Sequence, residues 1–135
     1  MYATPIAAPP WIDDHDTNYN ELIETTGINR NTLISHQRIL IASGRPCGRK
    51  IRGLWFFSTR EIYAFYIIAA LAHGKIPISL EILLGAWDFA QKQPDVPFAL
   101  SSRRAVTTVD AATLWNAAIN MMTDVRAREA AGQNV

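Results

Sequence analysis

The spacing of apolar positions along the chain predicts a mainly α-helical fold with one small β-hairpin. Leu22 and Ile23 supply the apolar contacts of a short helix over about Tyr19–Thr26. Gly27 ends it, since glycine accepts the left-handed conformation just past a helix C-terminus. Asn29 can cap a second helix over about Arg30–Ile41, its side-chain oxygen accepting a free amide of the first turn. On a helical wheel Leu33, His36 and Leu40 share one face, while Arg30, Asn31, Ile34, Ser35 and Arg38 share the other. One face is expected to pack and the other to present donors outward.

Gly44, Pro46, Gly48 and Gly53 then break helical periodicity, and Leu54–Phe57 reads as an apolar strand. The segment Ser43–Phe57 is therefore expected to form a β-hairpin with a basic tip. Ser58 or Thr59 can cap a third helix to about His73. That helix is apolar nearly all round, so it is expected to be buried on most sides. Ser79 can cap a fourth, with Leu80, Leu83, Leu84 and Trp87 at helical spacing. Pro94 and Pro97 interrupt the chain, and Arg103–Val109 is readable as strand or loop. Asp110 can cap a last helix to about Ala130, in which Ala111, Leu114, Ala118, Met121 and Val125 recur at spacings of three and four.

Composition is that of an ordinary globular domain: 49% hydrophobic and 19% charged residues over 135 positions. Cys47 is the one cysteine, so no internal disulfide is possible, and the protein is read as cytoplasmic. Its neighbours Arg45 and Arg49 are expected to lower the thiol pKa, although an incidental loop thiol is the preferred reading. The longest apolar run, Ile62–Ala72, is too short for a membrane span. No secretory signal is evident at the N-terminus.

The net charge of +1 conceals a segregation that matters more than the sum. Arg30, Arg38, Arg45, Arg49, Lys50, Arg52 and Arg60 fall in a stretch with no acidic residue. Asp13, Asp14, Asp16, Glu21 and Glu24 precede it with no basic residue among them. A cationic block suits a polyanion, above all a phosphate backbone.

Several segments in order resemble the MerR-type winged helix-turn-helix family over residues 19–84. Glu21-Leu22 resembles the family's first-helix signature, and Thr26–Leu33 its turn and the start of its recognition helix, continued by Arg38 and Leu40. Gly53–Ile62 resembles the exit from the wing and the start of the third helix, and Ile78–Ile82 the start of the fourth. The sequence departs from the family pattern at Ile34, Ser35, His36, Leu54 and Trp55. The resemblance implies an irregular acidic arm over residues 1–17, a winged helix-turn-helix domain over 18–92, a connector over 93–109 and a C-terminal helix over 110–131. It implies a sequence-specific transcriptional regulator that binds double-stranded DNA and is associated with the nucleoid. The second helix would enter the major groove and the basic wing would hold the backbone.

The expected DNA-binding residues are Arg30, Asn31, Thr32, Ser35 and Arg38 on the helix, and Arg45, Arg49, Lys50 and Arg52 in the wing. Arg and Asn side chains pair bidentately with guanine and adenine, whereas wing cations position the protein on phosphates. A homodimer is expected, since two-fold proteins match palindromic half-sites, with Leu114, Ala118, Met121 and Val125 as the seam. The alternative is that this helix folds back on its own domain. No cofactor, metal or catalytic group is expected: His15, His36 and His73 are scattered, and no phosphate-binding glycine loop or nucleophile elbow occurs. Competing functions are an architectural DNA-binding factor of excisionase or small-terminase type, and an antitoxin-like regulator. The latter would bind a protein partner through its C-terminal region, including Phe98-Ala99-Leu100.

Overall fold

Local caps set the helix boundaries. In the computed structural model, which describes residues 3–92, 97–101 and 106–133, Asn18 Oδ1 accepts from the Glu21 amide at 2.9 Å and opens α1 (Tyr19–Thr26). Gly27, at φ +72°, closes it. Asn29 Oδ1 accepts from the Asn31 amide at 2.9 Å and starts α2 (Arg30–Ala42). Ser58 and Glu61 form a reciprocal capping box at the start of α3 (Thr59–His73). Ser79 caps α4 (Leu80–Ala90). Asp110 accepts from both the amide and the hydroxyl of Thr113 at the start of α5 (Ala111–Gln133). These carboxylate contacts hold the Asp110 carboxyl below the usual range, the Thr113 bond being the largest cause.

The hairpin forms where glycine and proline density predicts it. β2 (Arg49–Ile51) and β3 (Leu54–Phe57) pair antiparallel with Ile51 opposite Leu54, leaving Arg52-Gly53 as the turn. Both turn residues have positive φ, +52° and +82°, as a two-residue turn matched to strand twist requires. A further strand, β1 (Thr17–Asn18), pairs with β3, so the sheet order is β1-β3-β2. Beyond α4, where the sequence leaves Arg103–Val109 open between strand and loop, a second antiparallel pair of strands forms. It consists of β4 (Phe98–Ser101) and β5 (Val106–Val109), with Phe98 edge-to-face on Phe89. Arg103, in the segment read as strand or loop, lies outside the described residues.

α3 runs through the core, as its apolar composition predicts. Ile62, Tyr63, Phe65, Ile67, Ile68 and Leu71 are all buried. Aromatic edges link the layers: Tyr19 to Phe57, Phe57 to Phe65, Phe65 to Trp87, and Tyr63 to Trp115. Each such pair adds about 0.5–1.5 kcal/mol to the burial of its area. The expected α4 face holds for Leu83 and Trp87, but Leu80, at the first helical turn, is exposed.

The structure bears on two sequence expectations in this core. The packed face of α2 is Leu33, Gln37 and Leu40, and His36 stands half-exposed beside it, which corrects the first. Gln37 can be buried because its amide donates to the Cys47 carbonyl at 3.0 Å. The seam on α5 is the second. Ala118 is fully buried, while Leu114, Met121 and Val125 pack against the same core and stay half-exposed. The Tyr66 hydroxyl lies 3.6 Å from Met121 Sδ. Within one chain α5 therefore folds back on its own domain, as the alternative reading has it, and the stripe keeps an outward edge.

The described part of the acidic arm packs along α5. Trp115 Nε1 donates to the Ile6 carbonyl at 2.7 Å. Asn116 accepts from the Ile6 amide and donates to the Thr4 carbonyl. Arg126 pairs with Asp16 and lies over the Trp11 ring. Among the described residues no helix is long and apolar enough to cross a membrane.

Candidate nucleic-acid interface

The cationic block of the sequence divides in three dimensions. Arg45 precedes the hairpin, and its guanidinium makes a two-pronged contact with Asp88 on α4, at 2.8 and 2.7 Å. Each partner stabilises the charge of the other, so the Asp88 carboxyl is held below its usual range. Arg45 is therefore a tie between α4 and the segment leading into β2. Arg45 is thereby a paired cation rather than a free one, though the pair itself stays on the surface. Arg60 is also engaged: its Nε bonds Asp13 at 2.8 Å, and its guanidinium lies 5.5 Å from the Trp115 ring centre.

The remaining five cations behave differently. Arg30 and Arg38 on α2, and Arg49, Lys50 and Arg52 on the hairpin, are all exposed. Among the described residues none of them makes an ion pair with a carboxylate. Asn31, Thr32 and Ser35 lie exposed on α2 with Arg30 and Arg38. Every expected DNA-contacting residue thus reaches solvent, Arg45 less than the others and with its charge paired.

Arg30 is held by neutral groups. Its Nη1 donates to Asn20 Oδ1 at 3.2 Å, and its guanidinium lies 5.6 Å from the Tyr19 ring centre. Burial raises the Tyr19 phenol pKa, an effect that Arg30 and Arg38 both oppose, which places both guanidinium groups within electrostatic reach of that hydroxyl. Arg30, Asn18, Tyr19 and Asn20 share an open concavity of about 210 Å³ with Leu54 and Trp55 of β3. The start of α2 and the turn end of β3 are thereby neighbours on one surface.

That surface is anchored beneath. Gly48, at φ +80°, donates its amide to Glu61 Oε2 at 2.7 Å. A Cβ at Gly48 would meet Phe57 at 2.9 Å, so a larger residue would displace the hairpin's base. His15 Nε2 lies 3.2 Å from Glu61 Oε1, joining the arm to the same carboxylate. Lys50 Nζ sits 5.9 Å over the Trp55 ring, fixing its aliphatic stem along the hairpin.

Cys47 is buried against this base rather than displayed in a loop. Burial, with the Glu61 carboxylate beside it, pushes the thiol pKa up, the reverse of the sequence expectation. The thiol is inert packing. Among the described residues no group of His, Cys, Asp and Glu is placed to hold a metal ion. A further concavity of about 270 Å³, between Asp13, Arg45, Arg60, Glu61 and Asp88, is lined by charges that already satisfy one another.

Tyr19, Asn20 and Trp55 were absent from the sequence-level site. Tyr19 and Asn20 stand just after the Asn18 cap of α1, so their position on a helix N-terminus was legible. Their meeting with Arg30 and the hairpin was not. No protein-family model matches the chain, and neither any curated protein nor any solved structure does.

Proposed function

We propose that this protein is a cytoplasmic, nucleoid-associated regulator that binds specific sequences in double-stranded DNA. Its α1–α2 pair and β2–β3 hairpin would act as a winged helix-turn-helix resembling the MerR type. The supporting observation is the division of the cationic block: five of its side chains lie open and, among the described residues, without a carboxylate on α2 and the adjoining hairpin, while Arg45 and Arg60 are paired with Asp88 and Asp13. In this reading α2 enters the major groove. Arg30 and Asn31 read base edges, Thr32, Ser35 and Arg38 contact bases or phosphates further along, and Arg49, Lys50 and Arg52 hold the flanking backbone. A two-fold operator would bring two copies together, and the half-exposed edge of Leu114, Met121 and Val125 on α5 is the candidate contact.

Fluorescence-anisotropy titration against duplex DNA at two salt concentrations tests the reading. Binding should weaken with salt, with a slope of about −0.9 per phosphate neutralised. Selection from a random duplex pool should return a preferred motif, and Arg30→Ala should relax it by about 1–3 kcal/mol at one position. Salt-independent binding, or a pool that returns no motif, overturns the proposal.

A further inference from the structure

The hairpin tip carries a feature that phosphate binding does not require. Leu54 is 65% exposed, and Ile51, directly opposite it across the strands, is 38% exposed. Cross-strand partners project to the same face of a hairpin. The adjacent pair, Lys50 and Trp55, occupies the other face, where Trp55 packs against the core. Ile51 and Leu54 therefore form an apolar pair turned away from the core, immediately behind the turn.

The turn places a cation at the apex. Arg52 has φ +52°, which the two-residue turn requires of its first residue although glycine or asparagine adopts it more readily. Arg49, two residues before Ile51 on the same face, flanks the apolar pair on its other side, and Leu54 borders the same concavity as Arg30. The base below is fixed by the Gly48–Glu61 and Gln37–Cys47 hydrogen bonds. A small apolar prow ringed by cations, on a rigid mount and next to the polar face of α2, fits one occupant.

We infer that the Ile51–Leu54 pair is a wedge that enters the minor groove of duplex DNA, partly unstacks a base step and kinks the helix. The inference rests on the DNA-binding reading and adds a task to it. Duplexes yield most easily at pyrimidine–purine steps, and apolar side chains with neighbouring cations are the means by which minor-groove proteins open them. Lys and Arg close to the tip would neutralise phosphates drawn together by the bend. The wing would then select sequence by deformability, at base pairs where no hydrogen bond is made.

The test uses the full chain and a mixed-sequence duplex of about 30 base pairs with a central TA step. Dyes at both ends report bending, and 2-aminopurine beside the step reports unstacking. The wild-type protein should bend the duplex by about 20–90° and raise 2-aminopurine fluorescence. Ile51→Ser/Leu54→Ser, checked for folding by circular dichroism, should bind within about tenfold of wild type yet lose both signals. Arg49→Ala/Arg52→Ala should bind more weakly but keep the bend at saturation. Binding by the wild-type chain without bend or unstacking overturns the wedge and leaves the DNA-binding reading standing. Absence of any binding overturns both. Full bending by the Ile51/Leu54 variant, dissociation of a dimer by that variant, or tighter association of the tip with phosphatidylserine vesicles than with DNA also overturns the wedge.

Discussion

Arg30 and Arg126 use the same packing device to opposite ends. Each lays its guanidinium over an aromatic ring, Tyr19 at 5.6 Å and Trp11 at 4.8 Å. Arg126 is then neutralised by Asp14 and Asp16, whereas Arg30 meets only the neutral amide of Asn20. The contrast repeats in Arg60 and Lys50. Both sit over indole rings, but only Arg60 has a carboxylate, that of Asp13. One side of the molecule cancels its charge to fasten the arm, α3 and α5. The other side orients its charge without cancelling it. Stacking fixes where a cation points, and the presence of a carboxylate decides whether its field is spent inside or outside.

The strongest way to break this contrast is to remove what the open side stands on. Phe57 is fully buried and touches Tyr19 and Phe65 edge-on. Phe57→Ala should cost about 3–5 kcal/mol in urea unfolding. A loss below about 1 kcal/mol would mean that the basic surface does not depend on the core, contrary to that packing.

The next effect separates the two sets of cations directly. Arg60→Ala should lower stability by about 1–2 kcal/mol, through the lost ring contact and ion pair, and leave the salt slope of DNA binding unchanged. Arg49→Ala and Arg52→Ala should each reduce that slope by about 0.9 and leave the thermal midpoint nearly where it was. An exchange of these outcomes would erase the distinction.

The smallest effect concerns His36, on the flank of α2. Burial lowers its pKa from the ordinary value of 6.5. Its folded pKa lies below the unfolded one, so its contribution to stability is complete above about 6.5. That contribution is lost as pH falls through the unfolded value toward the folded one. The urea midpoint should therefore decline slightly between pH 7.5 and 5.5 in excess of that seen for His36→Gln. Identical pH profiles would place His36 in water rather than at the edge of the packed face.

The sequence disclosed what is decided within a few residues. Asn29, Ser58, Ser79 and Asp110 cap the helices they were expected to cap, because a cap bonds amides two or three positions on. The hairpin was legible from its glycines, and the open face of α2 from its periodicity. The failures have long-range causes. Arg45 was read as a free wing cation because its partner Asp88 lies 43 residues away. His36 and Gln37 lie on opposite flanks of the Leu33–Leu40 stripe, and only the Cys47 carbonyl, supplied by another segment, favours burying the amide. The seam on α5 carries the right spacing for either a second copy or α3, and local pattern does not distinguish the two covers. β1 and the arm were unreadable for the same reason, their partners being β3 and α5.

The arm has a consequence for the order of assembly. Its bonds to Asp110, Trp115 and Asn116 span 107 to 112 positions of chain. Residues 3–6 are therefore translated about a hundred positions before the helix that receives them. Until that helix appears, the Trp11 ring lacks its Arg126 cover, and closure of so long a loop comes late because its entropic cost precedes its reward. Docking of the arm onto α5 serves as a latch set after the intervening helices are made.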